Sequence, residues 1–355
     1  MISIHCDKNL TTGDSNHTAS HSSGRREKMP NQNSRRTSVL AMVTLSVVSF
    51  MTVAQALPRA AAKRPAGVPE GYVITPFGYF HPSCVNQLAK GDVLHQDKQT
   101  IQHANGTIDT IQACPYPHYR ADGEKVIGDE RAVKKPDISH AWVENASVTT
   151  SSSYGFMHAF WNVPPAPTTN DGQTVYLFNG MEDINDVVSI IQPVLGWNSD
   201  YADAWGIASW NCCVNGNVNE ATPTPVSSGD LIYGYMFDTC SAGTETCSTW
   251  DIVTWDLTSG KFSELLDTSN YGQTFNWAFG GVLEVYNIVQ CGDYPNGPAD
   301  SYSGGGPAIH FYNQALFNDK FVQIAQPKWE VSAASGLTPS CSYGGSLPEE
   351  VTLTY

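Results

Sequence analysis

Positive charge is scarce in this chain, and the scarcity sharpens along it. The 355 residues hold 19 Lys+Arg against 34 Asp+Glu, a formal net charge of −15. Residues 1–56 contain six of the basic and three of the acidic residues, which leaves 13 Lys+Arg against 31 Asp+Glu beyond them, a net of −18. Such a surface repels phosphate backbones and anionic lipid, so neither nucleic acid nor membrane is an expected partner. It suits work in acid, where protonated carboxylates relieve the self-repulsion. After residue 56 no apolar run is long enough to cross a bilayer. The same part lacks any C-x-x-C pair or H-x-x-x-H spacing, so no metal site is expected, and nothing in it calls for a cofactor. The G-x-S-x-G elbow of serine hydrolases is missing, and His158 and His310 stand isolated rather than spaced as a triad. No sustained helical period occurs. What remains is 41% hydrophobic and only 15% charged, with Gly 30 and Pro 21, the balance of a globular, turn-rich β protein.

Arg35 and Arg36 precede the run "TSVLAMVTLSVVSFMTVAQA", which ends in Ala54-Gln55-Ala56. A basic flank, an apolar stretch and a small-x-small end describe a secretory signal peptide cleaved after Ala56. A signal anchor is the alternative, since the run approaches a membrane span in length. Met29 makes the more ordinary start, with residues 1–28 an extension. Beyond Cys6 there are eight cysteines, an even number that an exported, extracellular protein pairs into four bridges. Cys84–Cys114 and Cys240–Cys247 are the cheapest pairs, being chain neighbours, and adjacent Cys212-Cys213 are expected to staple two elements. Asn105 and Asn145 open glycosylation sequons.

Residues 57–67 read as a linker and 68–118 as a compact block bracketed by its own cysteine pair. Residues 119–137 form a charged connector in which Lys134-Lys135 is open to a processing protease, a solvated loop never cut being the alternative. From 138 to 355 the chain is short apolar or alternating runs: "TVYLFNG", "WGIASWNCC", "DLIYGYMF", "WDIVTWDL", "GGVLEVYNIV", "AIHFYNQALF". Their spacing of roughly ten residues indicates an antiparallel β-sandwich.

Two of these runs carry one strong hydrogen-bonding group among apolar neighbours. In "VSIIQPVLGW" (188–197), strand alternation puts Val188, Ile190, Gln192 and Val194 on one face; in "FGGVLEVYNIV" it groups Val282, Glu284, Tyr286 and Ile288. Burying an amide without partners costs roughly 2–7 kcal/mol, and a charge more. Both are tolerable if they face each other across a wet cleft; either alone reads equally as solvent-facing.

"FWNVPPAP", "VYLFNGMED", "SIIQPVLGW", "IASWNCC", "VSSGDLIYGYM" and "FGGVLEVYNIV" follow in this order. Together they resemble the neprosin-type glutamic peptidases, most closely the shorter fungal and bacterial members, over about residues 138–355, with the 68–118 block similar to the N-terminal region of such proteins. The order also parallels the eqolisins. The resemblance implies an eqolisin- or concanavalin-like sandwich and an endopeptidase acting on polypeptides, with no cofactor and no covalent intermediate. It puts Gln192 and Glu284 at the two catalytic positions. A carboxylate deprotonates water near the scissile carbonyl, and the amide donates to the oxyanion. Plant neprosins carry Glu where this chain has Gln192, so the chain pairs an eqolisin Gln/Glu set with a neprosin-like framework, and prolyl preference is open. The resemblance puts Glu182, with Asp183 and Asp186, in a loop at the cleft rim as a substrate contact, a solvated acidic turn being the alternative. Trp197 and Trp205 are candidates for an apolar or proline subsite, Trp161 and Trp210 for core, and Tyr286 shares the Glu284 face as a further substrate contact. The block at 57–137 is expected to be an activation segment covering the cleft at neutral pH, or else a subdomain that stays attached. Two rival readings remain: a carbohydrate-active sandwich using Glu182 and Glu284 as its carboxylate pair, and a non-catalytic secreted binding protein.

Overall fold

Short runs rich in branched and aromatic residues, cut by turn residues, become strands throughout the computed structural model, which describes residues 64–95, 99–126, 141–185, 189–297, 307–346 and 350–355. The signal peptide, most of the linker, Lys134-Lys135, Asp186 and Val188 lie outside the described residues. Up to residue 126 come β1 Val73–Thr75, β2 Gly78–Phe80, β3 Val85–Leu88, β4 Val93–His95, β5 Thr100–Gln102, β6 Ile108–Thr110, β7 His118–Tyr119 and β8 Lys125–Val126, the last two placing the first part of the expected exposed connector in paired strands. After it come β9 Trp142–Thr149, β10 Tyr154–Asn162, β11 Thr174–Glu182, β12 Ile190–Trp197, β13 Trp205–Val214, β14 Asn217–Ala221, β15 Thr224–Val226 and β16 Leu231–Asp238. The last are β17 Thr249–Asp256, β18 Lys261–Ser269, β19 Trp277–Tyr286, β20 Ala308–Asn318, β21 Glu330–Ala333, β22 Gly344–Ser346 and β23 Val351–Thr354.

The fold is the expected all-β, mostly antiparallel sandwich. The larger sheet runs β21-β9-β19-β11-β12-β13-β14-β3, with β15 beside β13; the facing sheet runs β18-β17-β16-β10-β20-β23-β22. Two small sheets, β1-β2-β7-β8 and β4-β5-β6, come from the N-terminal block. No helix among the described residues is long and apolar enough to cross a membrane.

Burial patterns explain the layering. Residues of β16 alternate between buried and partly exposed along most of the strand, so one face meets solvent. In β11, β12 and β19 every residue is buried, because these strands are covered on both faces. Their inner face packs on the second sheet around Leu177, Leu195, Leu283 and Trp161. Their outer face packs under the N-terminal block around Phe178, Val194, Val282 and Tyr79. The sheets approach closely where side chains are missing. Gly234 on β16 leaves the space that the Trp161 indole and the Pro193 ring fill.

The block is sewn to the larger sheet as well as laid over it. β3 pairs in parallel with the edge strand β14, Val85 opposite Val218 through Leu88 opposite Ala221. The Leu88 carbonyl accepts from the Thr222 N–H at 2.8 Å and its hydroxyl at 3.1 Å. Cys84–Cys114 and Cys240–Cys247 are bonded as expected. The adjacent Cys212 and Cys213 bond to each other instead of stapling two elements, which leaves Cys291 to pair with Cys341 across 50 residues. Of the two sequons, Asn105 is exposed in a turn, whereas Asn145 is 2% exposed within β9 and has no room for a glycan.

A methyl group at residue 234 would come within 2.4 Å of the Trp161 ring edge and 2.8 Å of the Pro193 ring. Gly234→Ala is therefore expected to cost about 1–3 kcal/mol of stability, read as a lower urea midpoint at unchanged slope.

Candidate active site on the outer face of the larger sheet

Gln192 lies on the outer face of β12, opposite Gly180 of β11 on one side and Trp210 of β13 on the other. It is 0% exposed, and neither its Nε2 nor its Oε1 has a partner. A buried amide with neither atom bonded is rare, because such atoms are normally satisfied by protein or ordered water. A Cβ on Gly180 would make an ordinary 3.5 Å contact with Gln192 Cγ and sit 3.3 Å from Ile190 Cδ1.

Glu284 lies on the same face, on β19, but not beside Gln192. It stands opposite Tyr176, which pairs with Gly196, four residues along β12 from Gln192. Strand β11 intervenes. At about 4.8 Å between strands and about 3.3 Å per residue, the two Cα atoms are roughly 16 Å apart. The Glu284 carboxyl is buried, and its Oε2 has no partner. Its Oε1 accepts from the Tyr286 hydroxyl at 2.7 Å, and Trp142 of the neighbouring β9 gives a second hydrogen bond. Both donors lie on the side away from Gln192. Gln192 and Glu284, expected from the sequence to share one water, lie on one face of the larger sheet with β11 between their strands.

Other candidates divide similarly. Trp197 and Trp205 pair with each other across β12 and β13, but they point into the core between the sheets, 5% and 2% exposed. Trp197 is an odd number of residues from Gln192, so strand alternation puts it on the opposite face, and neither ring lines the site. Trp210, expected as core, is on the outer face. Trp161 is core. Glu182 is the last residue of β11 rather than a rim-loop residue, 1% exposed and on the Gln192 face. Asp183 accepts from the N–H groups of Asn185 and Thr274, which marks it as a turn-former. Tyr286 is on the site face and holds Glu284. Glu182 pairs with Trp277, far along β19 from Glu284. Their separation of roughly 20 Å is well beyond the ~5–9.5 Å of a glycosidase pair. No group of three His, Cys, Asp or Glu among the described residues could hold a metal ion.

The face is rich in acids held neutral. Burial pushes Glu182 and Glu284 well above the ordinary carboxylate range, in spite of the Tyr286 and Trp142 hydrogen bonds to Glu284. Burial, then the nearby Asp200, pushes Glu220 up to about 10. Asp200 belongs to an exposed loop, yet its carboxyl is tucked against Glu220 and Ser199 and is itself raised by desolvation. Between the sheets, burial takes Glu144 up to about 9. Sequence reasoning missed Glu220 and Asp200, which are brought together only by the fold of the 198–204 loop.

The hairpin of β1 and β2 covers this face. The Tyr176 hydroxyl donates to the Ile74 carbonyl at 3.3 Å, Tyr79 meets Tyr286 edge-on at 5.6 Å, and Phe77 in the turn meets Trp210 edge-on at 6.1 Å. One end of the hairpin thus lies by the Glu284 group and its turn by the Gln192 row. The turn signal "TPFG" was legible (residues 75–78), but not the surface it would meet.

No protein-family model matches the chain, and no curated protein sequence matches it. Among solved structures it is similar to Scytalido-glutamic peptidase with a peptide-based transition-state analogue, at 14% identity and TM-score 0.42 over 60% of this chain and 98% of that one. It is similar to an eqolisin-family peptidase in complex with the tripeptide Ala-Ile-His, at 14% identity and TM-score 0.40 over the same shares of each chain. It is also similar to aspergilloglutamic peptidase from Aspergillus niger, at 13% identity and TM-score 0.33 over 51% of this chain and 98% of that one.

Acids raised by burial give folding a pH dependence of known sign. Below about pH 4.5 both folded and unfolded chains hold these protons; above it the unfolded chain releases them first, so stability falls as pH rises towards the folded values. Glu144, raised to about 9, and Glu220, raised to about 10, set the window. Urea midpoints are expected to fall between about pH 5 and pH 8, each such group contributing up to about 1.4 kcal/mol per pH unit. Glu144→Gln should make the slope shallower by one group; a flat or rising wild-type profile would contradict the protonated state of these acids.

Proposed function

We propose that this chain is a secreted, acid-acting endopeptidase of the glutamic type, and that the described conformation is its covered, latent form. The observation that carries the reading is Gln192: a fully buried amide with both polar atoms unpartnered, on a sheet face lined with protonated carboxyls and roofed by a hairpin from the N-terminal block. The sequence resemblance supports it independently, through six motifs in a fixed order.

The chemistry follows from the residue types. Peptide hydrolysis without a covalent intermediate needs a base for water and a donor aimed at the developing oxyanion. An amide does not titrate, so Gln192 keeps its donor at any working pH, and the acid limb of activity belongs to a carboxyl on the same face. With the hairpin in place no substrate reaches that face, and burial holds the carboxyls neutral and useless as bases. Displacing residues 64–126 opens the face to a peptide and rehydrates the acids, lowering their pKa values toward the range of an acid-acting base. Lys134-Lys135, read from the sequence as open to a processing protease, is the natural place for a cut. A preference for proline has no support from Trp197 and Trp205, which point into the core. The carbohydrate-active reading loses its carboxylate pair by distance.

Secreted protein incubated in acid is expected to acquire activity on denatured protein after a lag, with a new N terminus in the connector found by sequencing. Phe77→Ala and Tyr79→Ala remove two of the hairpin's ring contacts and should shorten the lag. Gln192→Ala should lower kcat by about 10²–10³. Protein whose N terminus has moved past the block and which still cleaves no peptide at any acid pH would end the proposal.

A further inference from the structure

Cations are scarce in this molecule, yet two of them meet in one place. Of the seven Lys and Arg among the described residues, Lys90 and Lys261 line the same groove. It lies at the margin of the sandwich, where β3, β14, β15 and β18 come together. The groove holds about 520 Å³ of space, the size of a small-ligand site. Its walls are apolar at Leu88, Pro225 and Phe262, and Glu264 is the only acidic residue lining it.

Hydrogen bonds fix the walls. After β3 the chain turns at "AKGD" (89–92), where the Asp92 N–H donates to the Ala89 carbonyl at 3.0 Å and the Ala89 N–H donates to Asp92 Oδ2 at 3.0 Å. Gly91 takes the positive φ of +84° that closes this turn. The turn presents Lys90, whose ammonium lies 4.3 Å from the Phe262 ring centroid. The Thr222 hydroxyl donates to the Leu88 carbonyl and the Thr224 hydroxyl to the Phe262 carbonyl. Charge is what remains to meet a ligand. Neither lysine forms a salt bridge among the described residues. Burial raises the Glu264 carboxyl, and nearby Lys90 opposes the rise.

Two ammonium groups, one carboxyl and an aromatic wall are complementary to a zwitterion with an apolar side chain. The molecule as a whole, at net −15, repels anions, and the lysines make this groove a local exception. A fatty carboxylate engages the lysines and leaves Glu264 without a counterpart, whereas a peptide engages both. We propose that the groove binds a short peptide, with Lys90 and Lys261 on its C-terminal carboxylate, Glu264 on its N-terminal ammonium and Phe262 against an apolar last side chain. This is a site apart from Gln192, whose strand β12 lies two strands in from β14. Leu88 and Lys90 belong to the N-terminal block and the other walls to the sandwich, so an occupied groove ties the two together and stabilises the docked block by linkage. Binding here requires no turnover and stands independently of the peptidase reading.

The test is calorimetric titration of the intact secreted protein at neutral pH with the dipeptide Ala-Phe, beside Ala-Phe amide, N-acetyl-Ala-Phe and hexanoate. Ala-Phe is expected to bind once per chain with a Kd on the order of 0.1–1 mM and to raise Tm. Removing the carboxylate, as in the amide, or either ammonium, as in K90A and K261A, should weaken binding about tenfold. E264Q should weaken Ala-Phe and leave N-acetyl-Ala-Phe unchanged, and Q192A should bind Ala-Phe as wild type does. Ala-Phe that never saturates, or binding untouched by both lysine variants, overturns the assignment. So does binding lost in Q192A, which puts the ligand on the covered face, or hexanoate matching Ala-Phe, which makes the ligand a fatty carboxylate. A protein that binds Ala-Phe in the expected pattern yet cleaves no peptide keeps the groove and ends only the peptidase reading.

Discussion

The central strands of the larger sheet are denied water on both sides, and most of what distinguishes this molecule follows from that. β11, β12 and β19 lie between the second sheet and the N-terminal block with no exposed residue. An amide and several carboxyls on the outer face are therefore desolvated by a cover that is covalently part of the same chain. Desolvation keeps the carboxyls protonated, leaves the amide without partners, and ties the state of the site to the position of the cover.

Much of the fold was legible because period-two alternation is a local property. It fixed the strand identity of β12 and β19, the shared face of Ile190, Gln192 and Val194, and the all-β class. The same alternation separates residues 192 and 197, which differ by an odd number, so Trp197 does not share the Gln192 face in a regular strand. The separation of Gln192 from Glu284 was not legible. It depends on β11 lying between their strands and on the pairing of Tyr176 with both Glu284 and Gly196, which are non-local facts. The bulge in β19 near Gly280 and Gly281 adds a further shift that alternation alone does not reveal. Glu182 was misplaced for a related reason, since its acidic neighbours made the end of a buried strand look like a solvated turn.

The cysteines show the same boundary between local and non-local information. Short-range pairs such as Cys240–Cys247 follow from chain proximity. The closure of Cys212 on Cys213 depends on the backbone of β13 and leaves Cys291 to pair with Cys341. Two of the four bridges were therefore readable in advance, and the other two stood or fell together.

The strand β3 gives the N-terminal block a second role besides roofing the site. Its parallel ladder with β14 supplies hydrogen bonds to what would otherwise be the raw margin of the larger sheet. A chain stripped of its first segment would display a row of bare amides and carbonyls there, ready to recruit a strand from any neighbouring molecule. Removing the block would leave an edge prone to self-association.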